Sequence, residues 1–401
     1  MADLHPFRAV RPLPDAVEEI ASVPYDVIDT TEARALAEGK PKSFLHVIRP
    51  EIDLPEGTDE HADAVYAQGA ANLQDHVASD YTVQEETPSV YVYRQVMDGR
   101  SQVGVFACAA VADYDAEVIL KHELTRPAKE DDRTRHIVEQ QAHAEPVMLT
   151  FRDTAGIMDL IETVQATEPL YDFTAADDVQ HTVWRAANTE AFVDAFADIP
   201  QLYIADGHHR CKAASRAAQA VDLSEHPEAR FFPAVFFPMD QMHIMAYNRV
   251  VHQLPTDAAA FLEQVEARAA VERAVDDPVP SEKGTVCLYL DGTWHRVALP
   301  EPASDRTVDA LDVSRLSAAI LEPLLDITDP RRDQNIDFVG GIRGTAALEQ
   351  RVDSGDAALA ISMYPTSIEE LLAVSDEGDL MPPKSTWFEP KLRSGLLVHL
   401  F

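Results

Sequence analysis

The chain has 401 residues, with 33 Lys and Arg against 69 Asp and Glu, a formal net charge of −36. A 46% hydrophobic and 25% charged composition is that of a globular protein, long enough for two domains and a large buried core. The negative field argues against a general nucleic-acid binder, which needs clustered Lys and Arg to displace counterions, and against attraction to an anionic membrane.

In chain order, the apolar run Phe44 to Ile48 predicts a strand and Asp59 to His76 a helix. Strands follow over Val90 to Val96 and Gln102 to Ala110, joined as a hairpin by Asp98-Gly99. Next come a strand at Val147 to Phe151, helices at Ile157 to Val164 and Thr189 to Phe196, a strand at Leu202 to Ala205 and a helix at Arg210 to Val221. The rest reads as strand Ala234 to Phe237, helix Asp257 to Ala270, strand Thr285 to Leu290 ending at Asp291-Gly292, helix Ser314 to Leu325, strand Ala357 to Met363 and helix Ile368 to Val374. Without a regular βαβ cadence this is α+β with a mixed sheet, not a doubly wound fold. The acidic, proline-containing stretch Val275 to Gly284 is the most linker-like, although a long surface loop reads the same. The expected division is residues 1–250, holding the phosphate site, and 251–401, an α+β domain with a closing tail.

Cys108, Cys211 and Cys287 lie far apart and form no Cys-x-x-Cys pair, which fits a reducing compartment. The opening residues lack a signal-peptide layout and no apolar run approaches ~20 residues, so a cytoplasmic protein is expected. Only eight of the basic residues are lysine. Many carboxylates with few lysines suits a halophilic, salt-filled cytoplasm, where ionic strength screens self-repulsion. Against that background the retained lysines are informative: Lys40 and Lys42, Lys121 and Lys129, Lys212, and Lys384 and Lys391 fall in four short windows.

The segment with the most chemistry is Gln201-Leu-Tyr-Ile-Ala-Asp206-Gly207-His208-His209-Arg210, a strand, a turn and the start of a helix. A helix N-terminus offers unpaired N–H groups, and Gly207 lets a phosphate approach the backbone. Arg210 adds a guanidinium, and His208 or His209 can carry a proton near neutrality. The bland alternative is that Asp206 caps a surface helix. A zinc site is disfavoured, since adjacent helical side chains diverge and no third ligand stands at i+4.

This segment resembles the signature of the ParB/sulfiredoxin-like superfamily, in which a Gly-x-His-Arg turn holds nucleotide phosphates. In sulfiredoxin the pattern is Gly-Cys-His-Arg: Gly207, His209 and Arg210 match, and His208 stands where the thiol would be. Archaeal free-serine kinases share that fold, so the resemblance implies a nucleotide-binding core and phosphoryl transfer to a hydroxyl such as that of serine. A second resemblance spans nearly the whole chain. His5-Pro-Phe-Arg, Val23-Pro-Tyr-Asp-Val, Ser43-Phe-Leu-His-Val with Arg49-Pro-Glu, Lys121-His-Glu-x-Thr, Ala205-Asp-Gly-His-His-Arg and Met381-Pro-Pro-Lys-Ser-Thr-Trp-Phe-Glu-Pro-Lys are similar to the domain of unknown function 1015 family. That family leaves the reaction open.

Residues 121–135 hold five Lys or Arg, and Arg126, Lys129 and Arg133 would share a helix face able to clamp a polyphosphate; a salt-laced helix is the equal alternative, since Glu130, Asp131 and Asp132 interleave. Gly340, Gly341 and Gly344 with Arg343 read as a tight connector more readily than as a phosphate nest. Lys384, beside Trp387 and Phe388, belongs to a tail that either closes over a substrate or anchors to the core. Asp26 and Glu123 are the candidate bases, and Asp206 is a candidate to hold Mg²⁺ through water. The expected function is therefore a kinase-like phosphotransferase using ATP or ADP with Mg²⁺ on a small hydroxyl-bearing metabolite. The alternatives are a phosphatase, with a histidine assisting water or forming a phosphohistidine, and a non-catalytic nucleotide-sensing switch. Partners are expected to be small molecules, with neither nucleic acid nor membrane, and a homo-oligomer is compatible with the sequence.

Overall fold

The computed structural model describes residues 1–153 and 156–401. They form two compact units, Met1–Met242 with Pro390–Phe401, and His243–Glu389. A cut at residue 250 would sever the strand Tyr247–Val251, which is paired on both edges within the second unit. The closing residues 390–401 group with the first unit. Val275–Gly284 is a loop inside the second unit and not a linker; the Gly284 N–H donates to the Asp312 carboxylate at 2.8 Å.

The strands of the first unit's large sheet are β1 (Leu4–His5), β2 (Tyr91–Met97), β3 (Arg100–Ala110), β4 (Ile119–Leu120), β5 (Val147–Phe151), β6 (Tyr171–Thr174), β7 (Gln180–Arg185), β8 (Leu202–Asp206) and β9 (Phe231–Pro238). They are ordered β4-β8-β5-β9-β3-β2-β7-β6, with β1 added on β3. The β4–β8 and β5–β9 pairs are parallel, while β8–β5, β9–β3, β3–β2, β2–β7 and β7–β6 are antiparallel, so the sheet is mixed as expected. β9 is almost wholly apolar and lies between β5 and β3, because a strand covered on both faces has no polar side to offer. Asp98 and Gly99, at φ 52° and 77°, make the tight β2–β3 turn.

Helices of this unit include α1 (Leu45–Ile48), α2 (Asp63–Ala78), α3 (Pro127–Gln140), α4 (Ile157–Gln165), α5 (Thr189–Ala197) and α6 (His208–Ala220). α4 and α5 contribute Ile157, Ile161, Phe192 and Phe196 to a core shared with Phe151 and Phe236. The expected strand at Phe44 to Ile48 is helical instead. Phe44, Leu45, Val47 and Ile48 are buried and His46 is not, a spacing that lines one helix face but would scatter over both faces of a strand. These residues join Ile20, Leu73 and Val398 in a second cluster, so the chain's closing segment is part of this core.

The second unit carries the strands β10 (Tyr247–Val251), β11 (Ala270–Glu272), β12 (Thr285–Leu290), β13 (Thr293–Ala298), β14 (Ile336–Gly340) and β15 (Leu359–Met363), ordered β11-β13-β12-β15-β10-β14. Its helices include α7 (Ala258–Glu266), α8 (Gly344–Asp353) and α9 (Ile368–Asp376), the last opened by a reciprocal cap between Ser367 and Glu370. No helix among the described residues is long and apolar enough to cross a membrane.

Candidate functional site at the β8–α6 turn

β8 runs through the core as Leu202 to Ala205 and emerges at Asp206. Gly207 follows with φ +101°, a conformation L side chains rarely adopt, and a Cβ there would lie 3.1 Å from Val147 and 3.2 Å from the Arg210 Nε. α6 starts at His208 with no side chain capping it and no acidic residue in its first turn. Its leading N–H groups and positive dipole end are thus left for a partner from outside the helix.

Arg210 does not point outward as a free anion hook. It is 7% exposed; its guanidinium donates to the Pro146 carbonyl and to the Asp206 carboxylate at 3.0 Å, and Asp26 lies 4.0 Å away. Burial opposes its charge, but Asp26, Asp206 and Glu145 outweigh this and hold its pKa above the ordinary value. Lys391, from the closing segment, approaches the other Asp206 oxygen at 3.7 Å. Burial would raise the Asp206 pKa, yet Lys391 and Arg210 together depress it, so the carboxylate is ionised and doubly engaged. A carboxylate so neutralised does not fit the Mg²⁺ role expected of it, and among the described residues no group of three His, Cys, Asp or Glu is arranged around a common metal position.

The two histidines part company. His208 is buried, its ring edge-on to His122 with centroids 4.4 Å apart, and its Nε2 accepts the His122 N–H at 3.4 Å. Burial, then His122 and His209, drive its pKa well below the ordinary value. The imidazole stays neutral, and His208 is withdrawn from the proton-carrying role the sequence suggested. His209 is half-buried, and its Nε2 accepts the Arg126 N–H at 3.0 Å. Burial and then Arg126 lower its pKa too, while Asp26 and Glu130 pull the other way.

Arg126 is exposed at the residue preceding α3, and Lys129 sits on the first turn of that helix. Lys121 places its ammonium 4.2 Å from the Tyr114 ring centroid and acts electrostatically on His208. These cations gather around α6's first turn, whereas Arg133 turns inward. It lies over the Tyr25 ring at 4.0 Å, pairs with Asp132 at 2.7 Å and approaches Glu145 at 3.9 Å. Glu123 lies half-buried in the segment leading to α3. Lys384 belongs to the second unit, exposed, with its ammonium 5.4 Å from the Tyr247 ring centroid.

Sequence reasoning missed Glu145, buried between Arg133 and Arg210. It accepts the Tyr25 N–H at 3.1 Å and the Ser394 hydroxyl at 3.3 Å, and burial raises its pKa against the pull of Arg210 and Arg133. An isolated glutamate in Ala-Glu-Pro carries no sequence signal. Lys391 carries one, its rarity in a lysine-poor chain.

A family model described as "Protein of unknown function (DUF1015)" matches residues 4–314. The chain belongs to this family. No curated protein matches the DUF1015 chain significantly. Similar solved structures include a conserved hypothetical protein from Pyrococcus furiosus, at 12% identity and TM-score 0.35, covering 73% of this chain and 94% of that one. A free serine kinase in complex with AMP has 11% identity and TM-score 0.34, covering 73% and 91%. SbnI from Staphylococcus aureus has 12% identity and TM-score 0.39, covering 74% and 87%.

Proposed function

We propose that this DUF1015 protein is a phosphoryl-transfer enzyme that takes its phosphoryl group from ATP or ADP and delivers it to a small hydroxyl-bearing metabolite. The observation that carries the reading is the uncapped start of α6 behind Gly207, flanked by Lys121, Arg126 and Lys129 in a chain otherwise poor in positive charge. Backbone donors and the helix dipole would hold the phosphates, and the three cations would neutralise charge that builds up during transfer. Arg210 and Lys391 fix Asp206 beside Gly207. Asp26, 40% exposed and 4.0 Å from Arg210, is the carboxylate best placed to accept the acceptor's hydroxyl proton, with Glu123 as the alternative. Nucleotide use and a serine-like acceptor are supported by the motif resemblance at Gly207, His209 and Arg210.

The test is ³¹P NMR of the protein with ATP or ADP and L-serine at molar KCl, beside thermal-shift titration of each nucleotide. A new phosphomonoester resonance that disappears in the Arg126→Ala/Lys129→Ala double variant is the expected result. A nucleotide at ~100 times its Kd should stabilise the protein by about 2.7 kcal/mol. Absence of both shift and product overturns the reading; a shift without turnover converts it into a sensing switch.

A further inference from the structure

β10 lies between β15 and β14 with every residue buried, and Tyr247, Arg249 and Val251 share one of its faces. An arginine at the middle of a covered strand calls for a reason, and the phosphotransfer site, which belongs to the first unit, does not supply one. Four arginines are buried among the described residues: Arg49, Arg210, Arg249 and Arg393. Three of them meet carboxylates, Arg49 with Glu51 at 2.8 Å, Arg210 with Asp206 at 3.0 Å and Arg393 with Asp177. Arg249, 3% exposed, has no carboxylate within 4 Å among the described residues; it donates to the Tyr247 carbonyl and, at 3.0 Å, to the Lys384 carbonyl. Those carbonyls engage two of the five N–H groups of a guanidinium and leave its charge unpaired. Burial draws its pKa down to about 10, so it stays charged at neutral pH. A lone buried charge is costly, and a chain with 69 acidic residues had carboxylates to spare for it.

A second cation stands beside it. The Lys384 ammonium lies 5.4 Å from the Tyr247 ring centroid and likewise has no carboxylate within 4 Å among the described residues. Lys384 also holds a φ of +61°, a left-handed backbone that costs a residue other than glycine free energy and that collects at ligand sites. The ground between the two cations is aromatic. The Arg249 guanidinium is 5.6 Å from the Phe338 ring centroid, and Tyr247 packs edge-on against Phe338 at 5.7 Å and Trp387 at 5.0 Å. Phe338 and Trp387 are half-buried and Lys384 is exposed, so the cluster reaches the surface.

We propose that Arg249 and Lys384 form an anion site in the second unit, and that its ligand is an aryl carboxylate, the carboxylate taken by the two cations and the ring set against Phe338 and Trp387. A guanidinium matches a planar carboxylate, and the aromatic side chains reward a flat apolar body, from which a small hydrated anion would gain nothing. The site shares no residue with the β8–α6 turn, and its binding does not depend on phosphotransfer.

Calorimetric titration of the full chain at neutral pH and fixed ionic strength tests this, with benzoate, benzamide (its neutral isostere), acetate (which lacks the ring) and inorganic phosphate as probes. Benzoate should bind about tenfold more tightly than each of the other three. Lys384→Gln, at an exposed position, should weaken benzoate about fivefold and leave benzamide unchanged. Arg249→Met should abolish benzoate binding; if that variant does not fold, Lys384→Gln decides alone. Arg126→Ala/Lys129→Ala should bind benzoate as the wild type does. No benzoate binding, or benzamide binding as tightly as benzoate, overturns the site. Acetate or phosphate matching benzoate overturns the choice of ligand. Benzoate affinity that is untouched by Lys384→Gln, or lost in the Arg126→Ala/Lys129→Ala variant, overturns its location. Each of these results leaves the nucleotide reading of the first unit standing.

Discussion

Two strand-to-helix turns of this protein look alike as sequence and differ as structure. Asp206-Gly207 joins β8 to α6, and Gly340-Gly341-Ile-Arg-Gly344 joins β14 to α8. In the first, Gly207 is required by a φ of +101°, and the helix start beyond it is uncapped and surrounded by cations. In the second, Gly340 has an ordinary φ of −60°, and its missing Cβ makes room for the Trp387 indole, 2.5 Å from where that atom would sit; a Cβ on Gly341 would lie 2.7 Å from the Ala246 carbonyl oxygen. One glycine supplies a left-handed backbone and the other lets two parts of the same core touch. Glycine density alone is therefore a poor guide to phosphate binding: the looser motif has three glycines and the better candidate one.

The contrast can be broken most forcefully at Arg210. Arg210→Ala leaves Asp206 and Glu145 without their shared cation in a buried setting, and should cost about 3–5 kcal/mol, read as a lower urea midpoint of the first unit. Gly340→Ala comes next, at about 3 kcal/mol, because the Trp387 ring must move; nucleotide affinity should be unchanged, and a loss of affinity would mean the second turn is functional after all. Gly207→Ala should cost less stability, about 1–3 kcal/mol of backbone strain, yet abolish the nucleotide-induced thermal shift.

Acid separates the two regions further. His76 and His122 have pKa values lowered to about 4, and His136 and His181 to about 3, with burial the leading cause in each. Above an unfolded value near 6.5 both states are neutral and the stability is fully present. As pH falls from about 6.5 toward 4 the unfolded chain takes up protons that the folded one refuses, and stability is lost at up to about 1.4 kcal/mol per pH unit for each histidine. All four belong to the first unit, so hydrogen exchange at pH 5 should show it opening before the second. The smallest effect is expected at Arg343, exposed in the glycine-rich loop, where Arg343→Ala should change the unfolding free energy by less than about 0.5 kcal/mol.

Much of the candidate site was legible because its signals are local. Asp206 through Arg210 announce a strand, a turn and a helix start within ten residues, and the cations of 121–135 stand out against a lysine-poor background. The roles inside the motif were less legible. Adjacent histidines on a helix point about 100° apart, so one faces the core and the other turns away from it, but the sequence does not say which. Burial of His208 against His122 settles it, through a contact between residues 86 positions apart. Phe44 to Ile48 shows the same limit at the level of elements, since a five-residue apolar run satisfies either period until its neighbours are known.

Composition and pattern by themselves determined the mixed α+β character, the net charge of −36, the hairpin at Asp98-Gly99 and the strand, turn and helix start at Asp206 to Arg210, because each depends on composition or on residues close together in the chain. Tertiary structure alone decided that Arg210 is spent on Asp206 and its neighbours, that Lys391 reaches Asp206, and that Glu145 stands between two arginines. The reason is electrostatic: a charge's role depends on which opposite charges fold to within a few ångströms of it and how much water they exclude, and neither quantity is encoded in its immediate neighbours.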